Sequence, residues 1–514
     1  MRQTKLALAV LAGAVLAACG GSDENNAPAQ VDKNPNIILA RGELAPNWPL
    51  IVPVPVSGTF APATLEPAVF NSLLDLGRPG TTALTGVPKC SITTYYMKYG
   101  TVGGKGESAT ATGAIMAPSG ADPACSGARP VLLYAHGTTT DKRFNMANVR
   151  ENSEATIVAA MFAAQGYIVV APNYAGYDDS SLKYHPYING EQQANDMIDA
   201  LRAARKAFPG MKVTASDKLL ITGYSQGGHV ALATQRAMQL NYASEFKVSA
   251  VAGLSGPYAM SLFVDATVAG SPNLGGTLFF PLLTSSWQNS YGNMYANPNE
   301  VYETQYLTGI ETLLPTTLTQ TELFTTGKLP QAALFAKNSL PGPSSPAFAA
   351  FFGDGNLVKS SFRTAALADA QQNPCNTNPA DPLNCNPANG LRINAKRNDL
   401  RNYVPNVPVM MCGGNADPTV FWVNSQATAG YFQAKGLPAA AITLLDVDSA
   451  PTGAADPFAA AKVGFAQQKT ATINAAIAAK TDPAQAVAIA YHGSLVPPFC
   501  QAAARGFFQK VIAG

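Results

Sequence analysis

From about Cys90 onward, apolar and polar positions follow a readable rhythm. Residues 91–99 (SITTYYMKY) and 108–117 (SATATGAIMA) alternate with a period of two around a Gly-rich turn at Val102 to Gly106. That pattern predicts two antiparallel strands. Val131 to Ala135 is a short apolar run, the signature of a strand buried on both faces. Residues 153–165 have helical spacing and stop at Gly166, a C-cap. Tyr167 to Tyr174 (YIVVAPNY) is a second buried strand. Residues 190–208 form an amphipathic helix, because Met197, Leu201, Ala204 and Phe208 share one face. Asn189 with Gln192 caps its start. A strand at Lys218 to Thr222, a helix at Gln226 to Leu240 and a strand at Val248 to Leu254 complete the run.

Strand alternating with helix implies βαβ units and a mostly parallel sheet flanked by helices. The rhythm fails after Gly256. Residues 257–400 are rich in Thr, Pro, Phe, Leu and Asn and lack steady alternation. It resumes with a strand at Val407 to Cys412, a helix at Phe421 to Ala434, a strand at Ile442 to Val447 and a last helix at Pro498 to Ile512. The expectation is an α/β core made of residues 61–256 and 401–514, with 257–400 inserted as a cap or lid.

The N-terminus reads differently. Arg2 and Lys5 precede an apolar stretch from Leu6 to Ala18, too short for a permanent membrane span. Residues 1–18 are therefore expected to be a signal peptide. It ends in Leu16-Ala17-Ala18-Cys19-Gly20, which resembles a bacterial lipobox. The resemblance implies cleavage before Cys19 and acylation there. Gly20 in place of Asp implies the outer membrane, facing the periplasm or the surface. Residues 19–60 read as a flexible tether.

Export changes the meaning of the seven cysteines. Without Cys19, six remain, and an even number in an exported protein implies disulfides. Fifteen pairings exist; the preferred set is Cys90–Cys125, Cys375–Cys385 and Cys412–Cys500.

Charge narrows the partners. The chain has 514 residues, 34 basic against 32 acidic, and no basic run, which argues against nucleic acid. Charged residues are only 13% and hydrophobic ones 47%, which suits an uncharged substrate. No CxxC, HExxH or paired-His spacing suggests a metal site.

The chemistry concentrates at Gly223-Tyr224-Ser225-Gln226-Gly227, between a predicted strand and a predicted helix. This is the G-x-S-x-G elbow in the context it requires. The sharp turn lifts the Ser hydroxyl off the sheet, and side chains two residues away would collide. A Ser hydroxyl needs a base, and the base needs an orienting group. Of the four His, only His229 and His492 follow the Ser. His229 lies in the helix after the elbow and reads as a packed residue. His492, in a short loop before the last helix, is left as the base. The acid is expected at Asp417, in the Gly-rich loop after the Val407 to Cys412 strand, with Asp446, Asp448 and Asp456 as rivals. A Cys412–Cys500 bridge favours Asp417, since it would tie the two catalytic loops together. The oxyanion hole calls for two backbone N–H groups. Gln226 is one; Thr138 is the preferred second, with Thr139 or Asp141 open. His136 reads as a structural support of that loop.

These motifs together resemble the secretory lipase family of the α/β-hydrolase superfamily. The resemblance runs through Tyr134–Thr140, Ala171–Gly176, Gly223–Gly228, Asn415–Val420 and Tyr491-His492-Gly493, covers roughly residues 90–510 and is weakest over the cap. It implies Ser225, Asp417 and His492 as a triad, a cap between the Ser and Asp strands, and hydrolysis of carboxylic esters without a cofactor. The cap aromatics Phe279, Phe280, Trp287, Tyr291, Phe324, Phe335, Phe348, Phe351 and Phe352 divide between cap core and an apolar acyl pocket. The expected protein is a monomeric, lipid-anchored esterase or lipase. A polyester depolymerase, a peptidase of the same fold and a non-catalytic binding lipoprotein stay open as alternatives.

Overall fold

Ten strands build the central sheet, and their residue choice explains their place in it. They are β1 (Leu50–Ile51), β2 (Thr64–Leu65), β3 (Ser91–Val102), β4 (Ser108–Ser119), β5 (Ala128–Ala135), β6 (Ile168–Pro172), β7 (Thr214–Tyr224), β8 (Val248–Leu254), β9 (Val409–Gly413) and β10 (Ile442–Asp446). The structure is a computed structural model and describes residues 37–51, 54–56, 59–61, 64–68 and 82–513. The expected signal peptide and Cys19 lie outside the described residues.

The spatial order is β1-β3-β4-β6-β5-β7-β8-β9-β10, with β2 also on β3. From β6 to β10 every neighbour runs parallel. β4 runs against both of its neighbours, β3 and β6. Successive residues of the central strands enter opposite cores. In β5, Leu132 and Tyr134 face one side while Val131, Leu133 and Ala135 face the other. Burial on both faces is why these strands read as continuous apolar runs.

Helices cover both faces. α1 (Ser153–Met161), α2 (Gly190–Ala207) and α3 (Gln226–Asn241) connect the first parallel strands. The Asn189 side chain accepts from the Gln192 N–H, Glu191 sits in the first turn of α2, and Arg205 and Lys206 sit in its last. Each placement suits the helix dipole.

After β8 the chain leaves the sheet and returns at β9. Between them lie α4 (Met260–Val268), α5 (Gly276–Tyr291), α6 (Ser360–Gln372) and α7 (Gly390–Arg397), with short turns of helix. This segment has its own apolar cluster, including Leu278, Trp287, Tyr302 and Leu334, and the cluster also takes in Tyr187 and Ile188 of the core. Polar bonds fasten it: Ser261 donates to Asp399 at 2.8 Å, Arg401 pairs with Asp399 at 2.8 Å, and the Trp287 indole donates to the Ile188 carbonyl at 3.1 Å. α8 (Val423–Ala434) joins β9 to β10, and α9 (Ala459–Ala478), α10 (Pro483–Ala490) and α11 (Val496–Ala513) end the chain. Disulfides join Cys90 to Cys125, Cys375 to Cys385 and Cys412 to Cys500.

Three expectations change. Residues 37–51, assigned to the tether, lie against the sheet: Leu39 and Ala45 are buried, Leu44 bridges Tyr99, and β1 pairs with β3. Their apolar side chains find the otherwise open edge of β3. The helix expected over 153–165 is α-helical only to Met161 and tightens to a 3-10 turn at Ala163–Gln165 before Gly166, which takes φ 100°. His492 is not in a loop. It sits in a π-helical turn, Tyr491–Leu495, that joins α10 to α11.

Candidate active site

The parallel strands end level with one another. Leu254 of β8 stands opposite Tyr224 of β7 and Cys412 of β9. The residues just past these three positions therefore open on one edge of the sheet, where a doubly wound fold places its ligands.

Ser225 occupies the turn from β7 to α3. Its backbone sits at φ 58°, ψ −121°, outside the regions an L residue prefers. Such strain costs about 1–3 kcal/mol and persists only where the surroundings enforce it. They do so here: the Ser225 N–H donates to the Leu254 carbonyl at 2.8 Å. A Cβ at Gly227 would stand 1.9 Å from the Ala135 carbonyl oxygen, and one at Gly223 would stand 2.3 Å from that of Gly227. Only glycine lets the turn close this tightly against β5.

The structure brings Ser225, His492 and Asp417 together. His492 Nε2 lies 2.8 Å from Ser225 Oγ, and His492 Nδ1 lies 2.6 Å from an Asp417 carboxylate oxygen. The other Asp417 oxygen accepts the N–H groups of Thr419 at 2.9 Å and Val420 at 3.1 Å. Asp417 is buried, and Ser225 retains 9% exposure. The Tyr224 hydroxyl donates to the His492 carbonyl, which ties the elbow to the His-bearing turn.

The other acids are engaged elsewhere. Asp448 is held by Lys469 at 2.8 Å and by the Tyr491 hydroxyl at 2.7 Å. Asp446 accepts from Asn415, and Asp456 pairs with Lys462. The remaining His are buried away from Ser225 Oγ. His229 Nε2 faces the Asn398 carbonyl at 2.8 Å, and His136 lies between the Gly137 and Asn173 carbonyls. Burial pushes both down to about 4, so each is neutral near pH 7.

Thr138 follows β5 in the loop beside the elbow. Glu154 of α1 accepts the Gly137 N–H at 2.9 Å and anchors that loop. Thr138, Ser225 and Gln226 share the wall of one cavity. The insertion supplies most of the rest, including Phe263, Phe279, Phe280, Leu334, Phe335 and Leu391, beside Tyr187, Ile188, Thr419 and Val420 of the core, and no charged side chain among the described residues lines it. Phe279, Phe280 and Phe335 are among the aromatics expected of the pocket; Phe263 joins them, although the sequence does not single it out. Trp287 instead fills the insertion's core.

Among the described residues no cluster of His, Cys, Asp or Glu could hold a metal ion. Among the same residues no helix is long and apolar enough to cross a membrane.

Comparison with known proteins agrees with this geometry at the level of fold and class. A model of the Prolyl oligopeptidase family matches residues 154–253, from α1 through the elbow to β8. No curated protein matches the chain. The rice cell wall degrading esterase LipA from Xanthomonas oryzae superposes with a TM-score of 0.68 at 25% identity, over 92% of this chain and 99% of that chain. Its ligand-bound form gives 0.67 at 25% identity, over 91% and 98%. A protein from Legionella pneumophila gives 0.63 at 19% identity, over 87% and 96%, a likeness of fold alone.

Proposed function

We propose that this chain, which has the α/β-hydrolase fold, is a serine carboxylic-ester hydrolase acting on uncharged, apolar esters. The observation that carries this reading is the Ser225–His492–Asp417 hydrogen-bond chain, 2.8 Å and 2.6 Å, at the wall of an uncharged cavity.

The chemistry follows from that chain. Ser225 Oγ attacks the ester carbonyl carbon while His492 Nε2 takes the hydroxyl proton. Asp417 holds the imidazole with its proton on Nδ1 and stabilises the imidazolium that forms. The backbone N–H groups of Gln226 and Thr138 receive the oxyanion. The intermediate collapses to an acyl-enzyme, and the alcohol leaves with the proton from His492. Water then attacks the acyl carbon, giving a proton to His492. The carbon–Oγ bond breaks, Ser225 recovers the proton, and the acid is released. Every proton moves between Ser225, His492, water and substrate, so the scheme calls for no cofactor.

Residues 257–400 serve as the cap, and the acyl group lies against Phe279, Phe280, Leu334 and Phe335. The three disulfides fit an exported protein. We place it at the outer membrane as a monomer, held by acyl chains on Cys19; Cys19→Ser should abolish palmitate labelling.

A second reading is a peptidase of this fold, favoured by the Prolyl oligopeptidase match. Recognition of a free amino terminus requires carboxylates, and among the described residues none lines the cavity. Hydrolysis of p-nitrophenyl esters from acetate to palmitate, beside a triglyceride, a polyester film and aminoacyl p-nitroanilides, separates these readings. Ser225→Ala should lose ester turnover and fluorophosphonate labelling; ester turnover surviving in the folded variant defeats the proposal.

A further inference from the structure

His185 precedes Ser225 in the chain, an order that excludes it as the base. It is fully buried, on the segment between β6 and α2. Its Nδ1 lies 2.9 Å from the Ala175 carbonyl oxygen, and its Nε2 lies 2.7 Å from Nε2 of Gln226. Burial pushes its pKa down to about 3, so the ring is neutral and carries one N–H. A carbonyl can only accept, so that proton is on Nδ1. Nε2 is then an acceptor and dictates which way the Gln226 amide turns: its NH₂ faces the ring. The Gln226 Oε1 points away and has no partner among the described residues. The opposite orientation would set two lone pairs against each other at 2.7 Å.

The same segment holds the other side of the oxyanion site. The Tyr187 hydroxyl lies 3.1 Å from Thr138 Oγ1. The Tyr177 hydroxyl donates to the Thr139 carbonyl at 2.7 Å, and the Tyr174 hydroxyl donates to that of His136 at 3.0 Å. The His185 ring packs on all three, with centroids 5.7 Å from Tyr174, 4.5 Å from Tyr177 and 6.1 Å from Tyr187.

We propose that His185 is a positioning residue of the oxyanion site, fixing Gln226 through its side-chain amide and the Thr138 loop through the tyrosines packed on its ring. The inference rests on the reading of Gln226 and Thr138 as oxyanion donors. Such donors act by being in place before charge develops, so their supports matter to the rate more than to substrate binding. His185 touches no reacting atom in this scheme.

His185→Phe keeps the ring and its stacking but deletes both hydrogen bonds. We expect kcat to fall about 10- to 100-fold with KM within about threefold, short of the 10²–10³ typical when a donor itself is deleted. His185→Gln offers an acceptor to Gln226 and a donor to Ala175 but gives up the ring, so it should keep the Gln226 contact, lose the support of the Thr138 loop and stay below wild-type kcat. Gln226→Met breaks the same contact from the other side, so the double variant should lose no more than the worse single one. It also reads the contact alone if His185→Phe fails to fold. Wild-type kcat in folded His185→Phe or His185→Gln, or additive losses in the double variant, overturn the proposal. The two levels separate cleanly. Wild-type protein that a fluorophosphonate does not label removes the hydrolase reading itself. Labelled wild type beside a full-rate His185→Phe removes only the positioning role.

Discussion

Changing Asp417 to Asn alters one atom and should silence the enzyme without unfolding it. One carboxylate oxygen of Asp417 accepts two fixed backbone donors, Thr419 and Val420, and the other faces His492 Nδ1 at 2.6 Å. An amide has only one oxygen. Two backbone N–H groups claim it, so the new NH₂ turns to His492, where only a lone pair can meet it. The imidazole proton is then held on Nε2, 2.8 Å from Ser225 Oγ, and Nε2 cannot take the hydroxyl proton. A wrong tautomer of this kind lowers kcat on the order of 10⁴-fold, equivalent to about 5.5 kcal/mol of barrier. Stability should change little, because volume and every local hydrogen bond are kept. Asp417→Ala is the contrast. It strands two backbone donors in a buried site, at about 1–3 kcal/mol each. The assay is steady-state hydrolysis of p-nitrophenyl butyrate beside thermal melts of both variants. Asp417→Asn with kcat within tenfold of wild type, or with a melt as low as that of Asp417→Ala, refutes the tautomer argument.

Acid should destabilise the fold between pH 6.5 and 4. His136, His185 and His229 are held near 4, 3 and 4 by burial, below the ordinary 6.5, so unfolding in that window takes up a proton at each. Asp196 opposes them, because burial raises it to about 7 and unfolding releases its proton. Three taken up less one released leaves two, a slope of about 3 kcal/mol per pH unit from these four groups. Asp178 and Asp199, also raised by burial, reduce that slope further toward the acid end. Denaturant midpoints that stay flat or rise as pH falls through this window contradict it. Among the disulfides, Cys412–Cys500 closes a separation of 88 residues and Cys375–Cys385 one of 10. Chain entropy assigns them roughly 4–5 and 2–3 kcal/mol, so paired Cys→Ala variants should rank in that order in chemical denaturation. Finally, Leu334→Trp adds bulk to the cavity wall and should cut palmitate ester turnover at least about tenfold relative to acetate ester. An unchanged chain-length profile would take the acyl group out of this cavity.

How much of this is legible in the sequence depends on where each constraint acts. Strands such as Val131 to Ala135 are apolar throughout because both faces are buried, so the sequence displays them directly. The elbow is legible for a similar reason: its glycines answer a steric demand within five residues. Asp417 is legible only as one of several loop carboxylates. Its rivals are occupied by Lys469, Tyr491, Asn415 and Lys462, partners that no local pattern announces. Helices α9 and α10 are hidden for a different reason. α9 fully buries only Ala461, Lys462, Phe465 and Ala476, and α10 packs only the half-buried Val487 and Ala490 against the core, so neither carries an amphipathic stripe. His185 is a further case: chain order excludes it as the base, yet says nothing about what it supports.

The insertion is the least legible part because what holds it is long-range. Ser261 and Asp399 are 138 residues apart, and each looks like an ordinary surface residue in sequence. This division has a consequence for what can change. The elbow glycines lie against backbone, with the Ala135 carbonyl 1.9 Å from where a Gly227 Cβ would be, and backbone cannot yield. The cavity wall is different. Phe279, Phe280, Leu334 and Phe335 face open space on one side, so substitutions there meet a void before they meet another atom. On the proposed reading, reaction chemistry is therefore confined to residues the fold cannot alter cheaply, while ester preference would reside in side chains it can alter without moving Ser225, His492 or Asp417.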